Sequence, residues 1–126
     1  SMVVPSLIKK AVESKDGKLK VWGDGSPIRD LIYAEDVARG MIHMVENKVT
    51  EPVNLGSGTG VTIKRVAEIV ADNFDLEIEW EADKPMGDSK RVMDTSRAES
   101  YGFKAETSFE DGIRKTIEWY KENKDV

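Results

Sequence analysis

Apolar residues recur along this 126-residue chain with two different periods. A return every three or four positions is typical of amphipathic helices, and strict alternation is typical of half-buried strands. The helical pattern predicts helices over residues 4–15, 35–47, 95–101 and 109–123, with one more beginning at Thr62. Alternation and extended stretches between turns predict strands over residues 18–22, 29–33, 52–55, 77–81 and 91–94.

Polar residues predict where several of these helices begin. Pro5 suits a first helical turn, where its missing N–H is not needed. Asp36 and Thr62 are each placed to cap a helix, because their side-chain oxygens can accept an N–H of the first turn. Thr107 and Glu110 have the spacing of a capping box. In the second helix the expected buried stripe consists of Val37, Met41, Met44 and Val45.

The alternation of short strands with helices predicts an α/β fold. Because the strands are few and the loops unequal, we expect a small mixed sheet flanked by helices and not a full doubly wound sheet. A chain of this length fits one domain, residues 1–126. Ser1 and Met2 are expected to be a cloning remnant.

Composition narrows the classes of partner. The net charge of −5 argues against nucleic acid, whose binders present clustered cations to the phosphates. The chain has no cysteine and one histidine, His43, so neither a disulfide nor a metal site is expected and a cytoplasmic location is predicted. No apolar run reaches the roughly 20 residues of a membrane span, so no membrane partner is expected.

Two motifs imitate those of a nicotinamide-dependent enzyme. The loop from Gly56 to Gly60 lies between a predicted strand and a helix, but Val61 stands where G-x-G-x-x-G needs its third glycine. A tight turn that uses glycine's access to positive φ is the expected role. Tyr120 and Lys124 have the Y-x-x-x-K spacing of a catalytic pair, yet Tyr120 falls on the apolar face of the last helix. We therefore expect no catalytic and no cofactor-binding residue in this chain.

Three basic residues lie in or beside loops, namely Arg29, Lys84 and Arg91. A guanidinium can hold phosphate oxygens through two parallel hydrogen bonds, and an ammonium adds a compact charge. The set therefore suits a diphosphate. From the residues alone, three ordinary surface cations are the alternative.

Four stretches of the chain carry recognisable motifs. They are residues 3–10, the motif V-W-G-x-G-x-P-x-R at 21–29 with its continuation to Asp36, residues 53–58, and the K-P-x-G loop at 84–87 with Asp94. In their order and spacing they resemble the C-terminal half of GDP-L-fucose synthases, which are members of the epimerase/dehydratase family of extended short-chain dehydrogenases. The resemblance covers residues 3–123. It implies the C-terminal substrate-binding lobe of these enzymes without the N-terminal Rossmann domain.

The resemblance also implies a ligand and a reaction. The ligand would be a nucleotide sugar, with a GDP-sugar first, and the whole enzyme would epimerise GDP-4-keto-6-deoxymannose at C3 and C5 and reduce it at C4 with NADPH. The implied substrate-binding residues are Arg29 and Lys84 at the diphosphate, Trp22 and Val21 along the nucleotide pocket, and Val3 and Leu7 beside the base. Arg91 is also implied, because it falls in a region where the family has basic residues, although the alignment there is shifted by one position.

The chain also departs from this family. The family's catalytic serine, its Y-x-x-x-K pair and its cofactor fingerprint belong to the N-terminal half. The family's epimerisation histidine lies just before the position of Val3, where this chain has Met2. His43 is expected mid-helix, as a surface or hydrogen-bonded histidine. We therefore expect the chain to be inactive alone and to hold no cofactor, with NADPH implied for the parent enzyme.

Three alternatives stay open. The chain can be the lobe of another NAD-dependent sugar-nucleotide epimerase or dehydratase, a free-standing nucleotide-sugar-binding module without catalysis, or an interaction domain without a ligand. If it is a lobe, its first helix, with apolar Val3, Val4, Leu7 and Ile8, is expected to be mobile or misplaced, because exposed apolar surface seeks a partner.

Overall fold

Five helices and five short strands make up residues 3–123, the part of the chain that the computed structural model describes. Three residues used in the sequence analysis lie outside this part of the chain. They are Ser1 and Met2, expected to be a cloning remnant, with Met2 also near the expected histidine position, and Lys124 of the Y-x-x-x-K motif. The helices are α1 (Val3–Glu13), α2 (Ala34–Glu46), α3 (Ile63–Phe74), α4 (Ser96–Ser100) and α5 (Phe109–Glu122), and the strands are β1 (Lys18–Trp22), β2 (Ile28–Asp30), β3 (Gly60–Thr62), β4 (Glu77–Glu81) and β5 (Lys90–Arg91).

The strands form two small sheets. In the first, β1 runs parallel to β4, with Lys18 opposite Glu77. In the second, β2 lies in the centre, antiparallel to β3 and parallel to β5. The expected α/β fold, with a small mixed sheet flanked by helices, is confirmed, although the strands divide between two sheets.

The core lies where α1, α3 and α5 pack against the sheet of β1 and β4. The inner face of α3 includes Val66, Ala67 and Val70, which are completely buried as their helical spacing predicted. Leu7 and Ile8 of α1 lie in the same cluster with 4% and 0% of their surface exposed. The expectation that α1 is misplaced is therefore wrong, because this helix supplies part of the core, whereas the expectation that α1 is mobile stays a prediction.

The caps of α3 and α5 differ in how well they match the sequence pattern. Thr62 caps α3 as predicted, because its hydroxyl accepts the N–H of Arg65 at 3.1 Å. The cap of α5 is Ser108 and not Thr107, since the Ser108 hydroxyl accepts the N–H of Asp111. Thr107 stays outside the helix because its own N–H is bound elsewhere, by Asp36.

Asp36 does not cap α2, contrary to the sequence prediction. The residue preceding the helix is Tyr33, which makes no side-chain cap. Asp36 lies in the first turn with 4% of its surface exposed, and its carboxylate accepts the N–H of Thr107 at 2.9 Å and a bond from Arg39 at 3.3 Å. The carboxylate thus ties α2 to the segment that leads into α5.

The outward face of α2 carries apolar side chains, so the predicted orientation is only partly right. Met41 and Val45 of the expected stripe are 58% and 77% exposed, and Ile42 beside them is 59% exposed, whereas Val37 and Met44 are partly buried. Gly40 faces inward instead, where a Cβ would lie 2.8 Å from Cζ of Phe103. The absence of a side chain at Gly40 lets α2 approach Phe103 closely.

The strand predicted over residues 52–55 is not formed. No residue from 51 to 59 belongs to a strand, and no other described strand pairs with this stretch. An extended segment forms a ladder only beside a second strand. One of its carbonyl groups, that of Pro52, accepts a hydrogen bond from the Arg97 guanidinium at 2.8 Å.

Replacing Asp36 by Asn is expected to destabilise the protein in a pH-dependent way. Burial alone would raise the pKa of Asp36, but hydrogen bonds from Thr107 and Arg39 outweigh it and lower the pKa below 3.8. A lowered pKa stabilises the fold above the unfolded-state pKa of about 3.9, and this contribution disappears as the pH falls through the folded-state pKa. At pH 7 the loss should be about 1.5–3 kcal/mol, the usual contribution of hydrogen bonds to a charged group.

Urea unfolding of wild type and Asp36→Asn over the range from neutral to strongly acidic pH measures this effect. The difference in unfolding free energy should shrink towards the acidic end, because wild-type Asp36 is then also neutral. The matched control is Asp72→Asn on α3, an exposed carboxyl group without a hydrogen bond in residues 3–123. A pH-independent difference for Asp36→Asn would contradict the assignment.

Candidate functional site

A groove of about 1200 Å³ opens beside the three-stranded sheet of β3, β2 and β5. Its floor comes from β2 and from the residues that follow β5, and its walls come from the start of α1, the start of α5 and the Leu55–Gly56 turn. Most of this lining is apolar, including Tyr33 and Phe109. Concave sites of this size, apolar with a few convergent polar groups, are typical of sites for small organic ligands.

Two arginines on neighbouring strands lie in the lining of the groove. Arg29 of β2 is the direct register partner of Arg91 in the parallel strand β5, and both line the groove. Neighbouring strands lie about 4.8 Å apart, and residues paired in parallel register point to the same face. The sheet therefore brings together two guanidinium groups that are 62 positions apart in the chain, from 29 to 91.

Arg29 is held along one edge only. Its NH1 atom donates to the carbonyl oxygens of Ile28 at 2.9 Å and Asp88 at 2.7 Å. Within residues 3–123, its Nε and NH2 atoms make no hydrogen bond. Gly87 leaves room beside them, because a Cβ there would lie 3.2 Å from NH2. The guanidinium is thus oriented by neutral carbonyls, with its charge and several donors available to an anion.

Arg91 is paired with a carboxylate. Its Nε and NH2 atoms lie 2.8 Å and 2.7 Å from one oxygen of Asp88, and both side chains are about two-thirds exposed. An exposed pair of this kind contributes only about 0–1 kcal/mol. An anionic ligand can therefore replace Asp88 as the partner of Arg91 at small cost.

Lys84 and Trp22 are not among the residues that line the groove. Lys84 is exposed in the loop between β4 and β5, where its N–H donates to the carbonyl of Glu81. The same loop packs on the turn after β1, since the Met86 sulfur lies 3.4 Å from the N–H nitrogen of Asp24. Trp22, at the end of β1, is half exposed, and the Lys10 ammonium lies 5.7 Å from its ring.

The other sequence candidates divide between the groove and the core. Val3 lines the groove with the start of α1. Leu7 and Val21 are 4% and 3% exposed and belong to the core cluster, and neither is among the residues that line this groove. Of the seven candidates, the structure brings together Arg29, Arg91 and Val3, and it places the remaining four elsewhere.

Asp30 is a groove residue that no sequence signal identified. Its carboxylate accepts four hydrogen bonds, from the N–H and hydroxyl of Ser57 and the N–H groups of Gly58 and Met93, at 2.7–3.2 Å. The glycine loop thus binds a carboxylate of its own chain. The tight turn expected there is confirmed at Gly58, where φ is 73°.

His43 is held by a hydrogen bond to a neighbouring segment of the chain. The Nε2 atom of His43 lies 2.5 Å from the carbonyl oxygen of Tyr101, so the histidine is hydrogen-bonded on its helix as predicted. In the part of the chain that the structure describes, no three histidine or carboxylate side chains cluster as metal ligands would. No helix among the same residues has the length and apolar composition needed to cross a membrane.

Comparison with known proteins points to one family. The NAD dependent epimerase/dehydratase family matches residues 1–56. The chain is 36% identical over 129 residues to a probable GDP-L-fucose synthase 1 of Oryza sativa subsp. japonica. The aligned region covers 98% of this chain and 39% of that protein. A GDP-L-fucose synthase of Sinorhizobium fredii is also 36% identical, over 98% of this chain and 41% of its own length.

The fold agrees with these relatives. The solved structure of a GDP-L-fucose synthetase from Naegleria fowleri bound to NADP matches with a TM-score of 0.88 and 25% identity, covering 98% of this chain and 41% of that one. The chain therefore spans about two-fifths of the length of the proteins it matches.

Replacing Gly23 by Ala should displace the loop that carries Lys84. Gly23 has a φ of 85°, and a Cβ there would lie 2.1 Å from Cγ of Met86. A methyl group at this position must push Met86 away, in addition to straining the backbone by about 1–2 kcal/mol. Amide exchange over residues 84–88 should become faster, as measured by hydrogen exchange with mass spectrometry.

Gly17→Ala is the matched control. Gly17 has a similar φ of 74°, but nothing lies within 4 Å of its Cβ position. This variant should show the backbone strain alone, with unchanged exchange over 84–88. Equal exchange in the two variants would show that the loop does not rest on the turn at Gly23.

Proposed function

We propose that the chain is the substrate-binding lobe of a nucleotide-sugar epimerase/reductase. The match of residues 1–56 to the NAD dependent epimerase/dehydratase family and the 36% identity to a GDP-L-fucose synthase over 98% of this chain support the proposal. The proposed ligand is a GDP-sugar, as the names of the plant and bacterial relatives suggest. The observation that carries the proposal is the pair of register partners Arg29 and Arg91 in the lining of an apolar groove.

The groove suggests how such a ligand would lie. The diphosphate would take the free edge of Arg29, which can offer two parallel N–H groups to phosphate oxygens. Arg91 would exchange Asp88 for the same diphosphate, and Val3 would contact a less polar part of the ligand. Lys84 is proposed as a further cation, carried by the loop whose Asp88 carbonyl orients Arg29.

The remaining candidates lie in the core behind the groove or outside the groove. Leu7 and Val21 would shape the wall through the core, without contact to the ligand. Trp22 presents an exposed ring beside the Lys84 loop, where a nucleotide base could stack.

Catalysis is assigned to the parent enzyme and not to this segment. A relative is known with NADP bound, so NADP is the proposed cofactor of the whole protein. The glycine loop of this chain holds Asp30, which occupies the amides that a phosphate would need. We propose that the segment alone neither binds NADPH nor catalyses the reaction, and that the protein works in the cytoplasm.

The outward face of α2 favours a lobe over a free-standing binding module. Met41, Ile42 and Val45 form an exposed apolar surface on one helix, and such surfaces are typical of contacts with another domain. The proposed partner is the cofactor-binding domain that the family resemblance implies. A module without such a partner would expose these three side chains permanently to water.

Arg29→Ala should weaken binding of GDP-mannose about ten- to a hundredfold, which corresponds to the loss of a hydrogen bond to a charged group. Arg29→Lys should recover only part, because the ammonium keeps the charge and loses the parallel donors. Isothermal titration calorimetry measures both. The control is Arg65→Ala on α3, an exposed arginine outside the groove.

Equal affinity of wild type and Arg29→Ala would remove Arg29 from the site. If wild type binds dTDP-glucose or UDP-glucose more tightly than GDP-mannose, the lobe belongs to another sugar-nucleotide enzyme. If it binds none of these in calorimetry, the chain is not a nucleotide-sugar lobe.

The purified chain should leave NADPH fluorescence unchanged at micromolar protein concentration and should not oxidise NADPH in the presence of a 4-keto sugar nucleotide. The physical reason is that the Asp30 carboxylate already binds the Ser57 and Gly58 amides of the glycine-rich turn that resembles a phosphate-binding loop. A positive control is the full-length bacterial relative under the same conditions. A saturable fluorescence change with this chain would disprove the assignment of cofactor binding to another domain.

A further inference from the structure

Strand β5 has very few backbone contacts of its own. It consists of Lys90 and Arg91 alone, paired with Ile28 and Arg29 of β2. Strands in proteins usually have three to ten residues. A two-residue ladder gives little resistance to a shift in register, and a shift by one position moves every side chain to the other face of the sheet.

Two side-chain bonds from β2 hold the chain on either side of β5. Upstream, the Arg29 guanidinium donates to the carbonyl of Asp88 at 2.7 Å. Downstream, the Asp30 carboxylate accepts the N–H of Met93 at 3.2 Å. Consecutive residues of β2 thus bind the segments before and after β5, and only one register satisfies both bonds.

The same carboxylate also holds the opposite wall of the groove. Asp30 accepts the N–H and hydroxyl of Ser57 and the N–H of Gly58. The three segments approach so closely that a Cβ on Gly56 would lie 3.0 Å from both Oδ2 of Asp30 and Cβ of Met93. Asp30 therefore joins the glycine turn, β2 and the segment after β5.

We propose that Asp30 is a positioning residue of the anion site: by holding Met93 it fixes the register that places Arg91 opposite Arg29. This role rests on the proposed function, in which both arginines bind a diphosphate. In a register shifted by one residue, Lys90 or Val92 would stand opposite Arg29, and the second guanidinium would leave the groove. Asp30 itself does not contact the ligand, because its oxygens are engaged by the protein.

The register can be tested without any ligand. In NMR spectra of wild type, nuclear Overhauser effects should connect β2 and β5 across the Arg29–Arg91 pair, and the amide of Met93 should be protected from exchange although it lies outside any strand. An unprotected Met93 amide in wild type would overturn the proposal with no variant needed, so the test does not depend on the folding of a mutant.

Asp30→Asn replaces one accepting oxygen by a donor, which faces the N–H groups of the loops. The nuclear Overhauser effects between β2 and β5 should be lost, and the Met93 amide should no longer be protected from exchange. The matched control is Asp16→Asn, which removes another carboxylate that accepts a backbone N–H and a serine hydroxyl, in the turn before β1. Unchanged β2–β5 contacts in Asp30→Asn would overturn the role of Asp30.

A double-mutant cycle with GDP separates positioning from general destabilisation. Arg91→Ala should weaken GDP binding about tenfold in wild type and less than about twofold in Asp30→Asn, where Arg91 is already misplaced. Arg91→Ala should keep its full effect in Asp16→Asn. Equal effects of Arg91→Ala in all three backgrounds would show that Asp30 does not position Arg91.

The proposed function and the proposed role of Asp30 would be contradicted by different results. If wild type does not bind GDP in calorimetry, the proposed function is wrong and Asp30 positions no anion site, even if the NMR contacts are present. If wild type binds GDP but the cycle shows no coupling, the function stands and the role of Asp30 is wrong.

Discussion

The carboxylate of Asp30 is the interaction on which the groove depends. Strand β2 is three residues long, and its neighbours have three and two, so backbone ladders alone hold little of this sheet together. Four donors from two distant parts of the chain converge on Asp30. Buried and partly buried polar groups need such partners, and a fully satisfied cluster rigidifies its surroundings. The floor and one wall of the groove thus form one unit.

A second carboxylate organises the other side of the molecule in a similar way. Asp36 accepts the N–H of Thr107, and Arg39 joins it through one bond and binds the Lys104 carbonyl through another. These bonds hold the loop before α5 against α2 and keep Thr107 out of the helix. Both acids connect residues more than sixty positions apart, from 30 to 93 and from 36 to 107. Side-chain hydrogen bonds therefore replace the long strands that this small chain lacks.

The electrostatics of the groove are local. The chain carries a net charge of −5, yet Arg29 is oriented by carbonyl groups and keeps its full charge for a ligand. Arg91 has an exposed carboxylate partner that a stronger anion can replace. A net negative chain with one pair of arginines in an apolar groove suits a ligand with a diphosphate and a less polar remainder, and it discourages binding to long polyanions.

The sequence alone determined the positions of the helices, the strands of the first sheet and the cap at Thr62, because these follow from periodicity and from neighbours within four residues. Only the tertiary structure decided which face of α2 is buried, that Ser108 caps α5, that residues 52–55 form no strand, and that Leu7 and Val21 lie in the core. The role of Asp30 also depends on tertiary structure. Which N–H groups reach a carboxylate depends on segments brought together from distant positions, and no local pattern of residues encodes that meeting.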